Sequence, residues 1–339
     1  MSDTLAAANR TASAPAGPLL AKNSLVTVFG GSGFVGRYVV RELAERGYRI
    51  RVACRRPDLA GHLQPGGNVG QVQLVQANLR YRWSIDRAVE GSDAVVNCVG
   101  ILSPSGKQTF EALQARGAGW VAEAAAAAGA RLVHVSAIGA DADSEAVYAS
   151  TKARGEELVR EAVPDAIILR PSIVFGPEDE FFNRFAGMAR MVPALPLIGG
   201  GKTRFQPVYV GDVAQAVAKS VEGHVAPGTT LELGGPEVLT FRQCMEKMLQ
   251  VIGRKRLFAT LPFPIASLMG SVLQFAPGAP ITPGQVELLK SDNVVTPLAQ
   301  QEGRTLQALG IAPQSLSAIL PRYLVRFRKH GQFEASRGL

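Results

Sequence analysis

Two side chains that could together move a proton, Tyr148 and Lys152, lie four residues apart in the run YASTK. Residues at this spacing share one face of a helix, where an ammonium favours the phenolate and lowers a tyrosine pKa from its ordinary value of about 10. Ser136 precedes the tyrosine by twelve residues, at the end of an apolar run, and could orient a carbonyl. Such a pair is usually only a surface feature of a helix. Its position after a strand that ends in serine predicts acid–base chemistry at a carbonyl, with Lys152 also able to hold a nucleotide ribose.

A glycine-rich turn near the beginning of the chain could hold a phosphate group. It follows the apolar run 25–29 and precedes a helical pattern that includes Arg37. A strand that turns sharply into a helix exposes free backbone N–H groups at the positive end of the helix dipole, and glycines let a pyrophosphate approach them. The sequence therefore predicts a dinucleotide site at this turn, formed by Gly30, Ser32, Gly33, Phe34, Val35 and Gly36.

The end of the second predicted strand indicates which dinucleotide is bound. The strand covers residues 48–54 and is followed by Arg55 and Arg56, where many NAD sites carry an acidic residue. A carboxylate would repel a 2′-phosphate, whereas a guanidinium can bind it through forked, charge-assisted hydrogen bonds. We therefore predict NADPH (NADP) as the cofactor, with Arg55 on its extra phosphate. The alternative is that both arginines are only solvated loop charges.

Alternating strands and helices position these residues. We predict further strands at 72–76, 93–100, 131–135 and 166–171, and helices at 110–128 and 148–163. This alternation predicts an α/β fold with a doubly wound parallel sheet, in which ligands bind outside the carboxyl ends of the strands. A later short strand is predicted to lead into a helix capped by Asp212. The strand ends add five candidate cofactor-binding residues: Asn78, Leu79, Val99, Gly100 and Pro171.

Composition excludes several classes of protein. A chain of 339 residues with 47% hydrophobic and 19% charged residues can bury a large core. The net charge of +8 suggests an acidic partner, such as a phosphorylated cofactor, an anionic membrane or an acidic protein, but no motif indicates nucleic acid. Cys54, Cys98 and Cys244 have neither metal nor disulfide spacing, and the four histidines are scattered, so no metal is expected.

The chain from about residue 25 to 250 resembles the extended short-chain dehydrogenase/reductase superfamily. The resemblance rests on the glycine turn, Ser136, YASTK at 148–152, LRPSIVFGP at 169–177 and PVYVGDVA at 207–214. It implies a Rossmann-type domain in which Ser136, Tyr148 and Lys152 stand at the positions of the catalytic residues. Asn78 departs from the aspartate that is common in these enzymes, which weakens the analogy to an enzyme slightly.

A narrower match resembles one atypical branch, the Rossmann-type accessory subunits of respiratory complex I (NADH:ubiquinone oxidoreductase) and their bacterial relatives. It is carried by VFGGSGFVGRYVV at 28–40, HLQPGGNVGQV at 62–72, residues 148–188 and LPFPIASLMGSVLQF at 261–275. The resemblance implies that NADPH is bound tightly as a brace and is not turned over. The three catalytic-type residues would then be vestigial and would only hold the nicotinamide ribose.

The carboxyl-terminal third has a different character. Residues 257–276 are almost wholly apolar but are broken by prolines, which exclude one continuous membrane-spanning helix. We predict a peripheral membrane or partner contact through this segment, the alternative being a core helix of a smaller lobe. The basic tail fits an anionic bilayer surface or a solvated helix face; it contains Arg322, Arg326, Arg328, Lys329 and His330.

Three regions and a function follow. We predict a disordered leader at 1–23, a NAD(P)-binding Rossmann domain at 24–255 and a carboxyl-terminal lobe at 256–339. The resemblance implies an NADPH-binding accessory or assembly subunit of complex I, next to peripheral-arm subunits near the quinone site. It implies a peripheral position on the cytoplasmic side of the bacterial inner membrane. The alternatives are an NADP-dependent reductase, epimerase or dehydratase acting on a quinone, isoprenoid or sugar nucleotide, or an NADPH sensor.

Overall fold

Strands and helices alternate along most of the chain, which the computed structural model describes over residues 17–273, 282–329 and 331. The strands are β1 (Leu25–Phe29), β2 (Arg49–Cys54), β3 (Val72–Gln76), β4 (Ala94–Asn97), β5 (Arg131–Val135), β6 (Ile167–Pro171), β7 (Val174–Phe175), β8 (Ala194–Ile198), β9 (Arg204–Phe205), β10 (Val208–Tyr209), β11 (Thr230–Leu233), β12 (Leu239–Thr240) and β13 (Leu257–Leu261). The helices are α1 (Phe34–Glu45), α2 (Arg82–Val89), α3 (Arg116–Ala127), α4 (Val147–Ala162), α5 (Phe182–Met191), α6 (Val210–Glu222), α7 (Phe241–Val251), α8 (Phe263–Leu273), α9 (Pro283–Leu288), α10 (Pro297–Gln301) and α11 (Leu316–Leu324).

Seven of these strands form one parallel sheet in the order β11-β6-β5-β4-β1-β2-β3. The order reverses beside β1, so that the loops after β1 and β4 diverge and leave a crevice at the carboxyl ends of the strands. The predicted doubly wound parallel sheet is therefore confirmed. Strand β3 and strand β5 have the predicted bounds.

Helices cover both faces of the sheet because side chains alternate between the two faces along each strand. On one face, Val26 and Val28 of β1 pack in a core with residues of α1 and α6, among them Leu43 and Val217. On the other face, Phe29 packs in a core with residues of α2, α3 and α4. This two-sided burial holds the glycine turn after β1 rigidly at the centre of the sheet edge.

A second, smaller core lies beyond the sheet. It combines residues of α5, β8, α7 and α11, with Leu195, Leu197 and Met248 fully buried. Strand β8 pairs in parallel with β13, and a small adjoining core joins α8 and α9 to Ile198. The second core draws on residues before and after position 255, and the predicted division of the chain at that position stays a prediction.

Two predicted elements differ in ways that shape the site. Strand β4 ends at Asn97 rather than residue 100, because the Asn97 side-chain oxygen accepts a hydrogen bond from the Val99 N–H (3.1 Å) and turns the chain out of the sheet. The helix predicted at 110–128 begins with a π-helical turn, Glu111–Ala115, before α3. Helix α4 packs closely on that turn, since a Cβ at Gly155 would lie 2.1 Å from the Gln114 carbonyl oxygen. The π-helical turn thus sets the position of α4, which carries Tyr148 and Lys152.

The predicted capping role of Asp212 is wrong. Helix α6 begins at Val210, and Asp212 lies within its first turn. Its carboxylate instead accepts a hydrogen bond from the Gln314 N–H (2.7 Å), and burial raises the pKa of this carboxyl to about 6. Asp212 therefore fastens the carboxyl-terminal segment to the Rossmann domain.

Some predictions fall outside the described residues: the leader over 1–16, the end of the apolar segment at 274–276, and His330 of the tail. Residues 17–23, also predicted to belong to the leader, form hydrogen bonds with the Rossmann domain. The Leu20 N–H donates to the Glu222 backbone carbonyl (3.1 Å), and the Pro18 carbonyl accepts from the Arg131 guanidinium (2.7 Å). Within the described parts of the chain, no helix is both long and apolar enough to cross a membrane.

Candidate functional site

The glycine turn after β1 forms a tight cradle. Gly30 has a φ of +74°, and a Cβ there would lie 3.1 Å from the backbone of Cys98. A Cβ at Gly36 would lie 2.1 Å from the Gly30 carbonyl oxygen, so only glycine lets α1 pack this closely on the turn. Gly33 precedes α1 as its N-cap residue, and no side chain caps the helix. The first N–H groups of α1 are consequently left for a ligand, which favours an anion such as a diphosphate.

The two arginines after β2 lie in different environments. Arg55 is exposed and lines the cleft at the carboxyl ends of the strands, whereas Arg56 is absent from its lining. Arg56 instead forms an exposed ion pair with Asp58 (2.6 Å). The Asp58 carboxylate is therefore paired with Arg56, and Arg55 is the arginine that borders the cleft.

The loop after β3 borders the same cleft. The Asn78 side-chain oxygen accepts a hydrogen bond from the Arg80 N–H (3.1 Å), and the Asn78 N–H donates to Ser84 Oγ (3.0 Å). These bonds fix the turn that presents Asn78 and Leu79. An amide at this position can still hydrogen-bond an adenine ring, as an aspartate does.

The three predicted catalytic residues converge deeper in the cleft. Lys152 is only 4% exposed, and its ammonium donates a hydrogen bond to the Val135 carbonyl (3.2 Å). Ser136 follows directly on that strand, and its Oγ is buried with no hydrogen-bond partner among the described residues. Tyr148 is half-buried, with its ring edge-to-face with Phe110 at a centroid distance of 5.9 Å. A buried hydroxyl without a partner is rare in native proteins and points to a ligand that completes its bonding.

Burial dominates the electrostatics of this group. It lowers the pKa of Lys152 to about 8, against the opposing effect of Glu156, and raises the pKa of Tyr148 to about 12. The expectation that Lys152 lowers the tyrosine pKa is therefore wrong for the structure as it stands. His134, buried next to this site, has its pKa lowered to about 3 by burial and by Lys152, which keeps the imidazole neutral.

The residues predicted from the sequence to bind the cofactor or to act on a carbonyl line one cleft of about 1080 Å³. Ligand pockets in proteins commonly measure about 300–1,000 Å³, so this cleft has room for a dinucleotide and for a further group. The predicted site residues that it brings together are Gly30, Ser32, Gly33, Phe34, Val35, Gly36, Arg55, Asn78, Leu79, Val99, Gly100, Ser136, Tyr148, Lys152 and Pro171.

The cleft also includes residues that sequence reasoning missed. Past Pro171 it is lined by Ile173, Phe181, Phe185 and Met188, among others from the second lobe. Met269 and Leu288 also line it, so the lining combines distant segments and forms no motif. The only signal for these residues in the sequence is the apolar character of the segments. The residues present fit a dinucleotide: a glycine cradle with uncapped N–H groups, and an arginine at the end of β2.

Comparison with known proteins gives three findings. A family model described as the NAD dependent epimerase/dehydratase family matches residues 26–234. The chain is 34% identical over 316 residues, 91% of its length and 79% of the relative's, to the mitochondrial NADH dehydrogenase [ubiquinone] 1 alpha subcomplex subunit 9 of Arabidopsis thaliana. It is 31% identical over 240 residues, 71% of its length and 74% of the relative's, to the ceramide reductase of Caulobacter vibrioides.

A solved structure shows the same fold. The dTDP-glucose 4,6-dehydratase of Streptomyces venezuelae, crystallised with NAD, superposes with a TM-score of 0.67 at 21% identity. The match covers 93% of this chain and 98% of the other. At that identity the likeness shows the fold alone.

Proposed function

The chain belongs to the NAD dependent epimerase/dehydratase family, and from that premise we propose that it is an NADPH-binding accessory subunit of respiratory complex I, NADH:ubiquinone oxidoreductase. The observation that carries the proposal is the 34% identity to a subunit of the mitochondrial enzyme, because it extends over 91% of this chain rather than over the dinucleotide-binding part alone. Both lobes are thus shared with a protein that works as part of that complex.

The nucleotide acts mainly as a structural part. A ligand that binds only the folded state stabilises it by about 2.7 kcal/mol when its concentration is 100 times its Kd. The glycine turn, the loops after β2 and β3 and helix α4 all border the cleft, so one bound molecule contacts four separate segments of the Rossmann domain. Such a ligand would brace the surface that a partner subunit contacts.

The cofactor is NADPH rather than NADH. Support comes from Arg55, which borders the cleft at the end of the second strand and has no carboxylate partner among the described residues, while Arg56 pairs with Asp58. An acidic residue at that end of β2, which would favour the free ribose hydroxyls of NADH, is absent from the sequence run CRRP.

The partners are peripheral-arm subunits near the quinone site, on the cytoplasmic side of the bacterial inner membrane. Helix α8 supports a membrane contact, since Ile265, Leu268 and Met269 on it are exposed. No acidic residue occurs between Glu246 and Glu287, whereas Lys255 is exposed in that stretch. An apolar helix in a stretch of sequence that has basic but no acidic residues suits an anionic bilayer.

Affinity purification from detergent-solubilised membranes tests this function. The tagged full chain should co-purify with complex I subunits, and deletion of its gene should lower the NADH:ubiquinone activity of the membranes. Purification of the chain without any complex I subunit, together with unchanged activity after deletion, would contradict the proposal.

A second candidate, a reductase, is favoured by the buried Ser136 hydroxyl that lacks a partner and by the ceramide reductase relative. NADPH would supply a hydride there. Ser136 would hold the substrate carbonyl, Tyr148 would donate the proton to its oxygen, and Lys152 would hold the ribose. Substitution Tyr148→Phe then abolishes turnover and leaves nucleotide binding intact. Full function of this variant in cells would exclude the reductase role.

A further inference from the structure

The cleft continues beyond the dinucleotide residues into the second lobe, and we call this part the lobe chamber. Its wall is built from α5, β8, α8 and α9 and the residues next to them. Six of its lining residues are Phe181, Phe185, Met188, Ile198, Met269 and Leu288. All six side chains are apolar, although they come from four separate parts of the chain. The lobe chamber therefore offers an apolar surface in the same cleft as Ser136 and Tyr148.

Aromatic rings make one wall of the lobe chamber rigid. Phe185 packs on Phe181 and on Phe241, with ring centroids 5.5 and 5.3 Å apart. Phe205 packs on Phe241 at 6.4 Å, and all four rings line the cleft. Edge-to-face packing of this kind holds each ring in place and presents hydrocarbon to the cavity.

Three of the polar side chains that line the cleft beside the second lobe are already paired with the protein. Glu178 accepts a hydrogen bond from the Tyr38 hydroxyl (2.9 Å). The Asp292 carboxylate accepts one from Arg204 Nε (2.8 Å). The Asn293 side-chain oxygen accepts one from Ser172 Oγ (2.7 Å). Because paired groups gain little from a polar ligand, these residues do not favour a sugar or a second diphosphate.

In contrast to these paired side chains, the Ser136 hydroxyl, which lines the same cleft, is buried and has no hydrogen-bond partner among the described residues. Among the described residues, three other side-chain atoms share that state, those of Arg80, His134 and Glu237, and none of them borders the cleft. The combined space thus has one unsatisfied hydroxyl next to an apolar chamber. This distribution suits a molecule with a polar head and a hydrocarbon tail.

We propose that the lobe chamber binds the aliphatic chain of an amphiphile whose carbonyl-bearing head lies at Ser136. The chain is an acyl or a prenyl chain, both being uncharged hydrocarbon. The inference goes beyond the proposed role in complex I and concerns binding alone, so that it holds whether or not a hydride is transferred. It also stands apart from the identity of the nucleotide, which occupies the other part of the cleft.

Isothermal titration calorimetry on the purified full chain tests the proposal, with and without added NADPH. The probes are methyl ketones from hexanone to dodecanone, and ubiquinones carrying one or two prenyl units. The Kd of the ketones should fall about fourfold for each added methylene until the lobe chamber is filled. If the Kd of the ubiquinones also falls as their chain lengthens, the natural chain is a prenyl chain. If only the ketones show this dependence on chain length, it is an acyl chain. A Kd independent of chain length in both series, or tighter binding of UDP-glucose than of any probe, would overturn the proposal.

Two variants on one helix provide a matched comparison. Met188 lines the lobe chamber, whereas Met191 on the same helix is 81% exposed and lies outside it. Met188→Glu should weaken binding of dodecanone at least about tenfold, because an ionised carboxylate resists burial next to hydrocarbon, while Met191→Glu leaves it unchanged. Equal effects of the two substitutions would contradict the proposal.

A bulky substitution guards against a variant that fails to fold. Leu288→Trp should keep the affinity for hexanone and lose the gain for the longest ketones, since the larger ring occupies part of the lobe chamber. Unchanged chain-length dependence in this variant would argue against the assigned location. A separate NADPH titration distinguishes the two proposals, because loss of nucleotide binding with the chain-length series intact would refute only the proposed cofactor.

Discussion

Reversal of the charge at Arg55 gives the sharpest test of cofactor choice. In the structure Arg55 lines the cleft where the 2′-phosphate of a dinucleotide bound at the glycine turn would lie. Arg55→Asp removes a charge-assisted interaction worth about 1.5–3 kcal/mol and places a carboxylate beside the phosphate. Because Arg55 is exposed, solvent screens the added repulsion, and we take about 3 kcal/mol for the total loss of NADPH binding free energy. That loss corresponds to a Kd about 150 times higher, since each 1.4 kcal/mol is a factor of ten.

The same substitution changes thermal stability through ligand linkage. If NADPH is present at 100 times its Kd, it stabilises the folded chain by about 2.7 kcal/mol, and after a 150-fold loss of affinity only about 0.3 kcal/mol remains. With an unfolding entropy of about 2.1 cal/mol/K per residue, the 339-residue chain should lose about 3 °C of the NADPH-dependent rise in Tm. Differential scanning fluorimetry with NADPH and with NADH measures both effects, and the response to NADH should change little.

The matched control is Arg56→Asp. Arg56 lies outside the cleft and pairs with Asp58, so its reversal should leave the preference for NADPH over NADH as it is in the parent chain. If the two variants have the same ratio of NADPH to NADH affinity, the reasoning from Arg55 is refuted.

Three further predictions follow from single contacts. Gly36→Ala forces a Cβ to 2.1 Å from the Gly30 carbonyl oxygen, so it should cost about 1–3 kcal/mol of stability and weaken nucleotide binding more than tenfold. Gly61→Ala is the control, because no atom lies within 4 Å of the Cβ it adds. Equal effects of the two substitutions in calorimetry would contradict the role of the glycine cradle. Burial lowers the pKa of Lys152 from 10.5 to about 8, so between pH 8 and 10.5 the unfolded chain binds more protons than the folded chain. The contribution of Lys152 to the free energy of unfolding should therefore rise by up to about 3 kcal/mol from pH 8 to 10.5. Denaturant unfolding of Lys152→Met across that range should lack this rise, and a rise equal to the parent's would refute the assignment. Leu268→Glu on α8, a residue 69% exposed, should weaken co-sedimentation with anionic vesicles about tenfold, whereas Trp83→Glu, at a residue 66% exposed on the Rossmann domain, should not; equal losses would refute the membrane contact.

The Rossmann domain could be predicted because its signals are local. Each strand from β1 to β6 carries apolar residues, either consecutive or alternating with polar ones. The glycine turn after β1 has a spacing with a direct steric meaning, as the 2.1 Å contact at Gly36 shows. The carboxyl ends of parallel strands meet at one edge, so Arg55 and Ser136 could be placed in the same cleft from their positions alone. Both residues line one cavity in the structure.

The second lobe and the finer features of the site could not be predicted, because they depend on contacts between residues far apart in the sequence. The lobe chamber joins residues as distant as Phe181 and Leu288. The second hydrophobic core likewise combines residues from before and after position 255. Asp212 looked like a helix cap, but it binds a backbone N–H 102 residues later. The raised pKa of Tyr148 follows from its burial, which no pattern in the sequence indicates.

The central claim is that a phosphorylated nicotinamide dinucleotide is held as a fixed part of a respiratory complex I subunit. Its most direct test is mass spectrometry of the nucleotide released by denaturing the chain after purification with its complex from membranes. We expect one NADPH per chain, with its reduced state unchanged while the complex oxidises NADH. Release of NADH or of no nucleotide, or oxidation of the bound NADPH during that turnover, would contradict it.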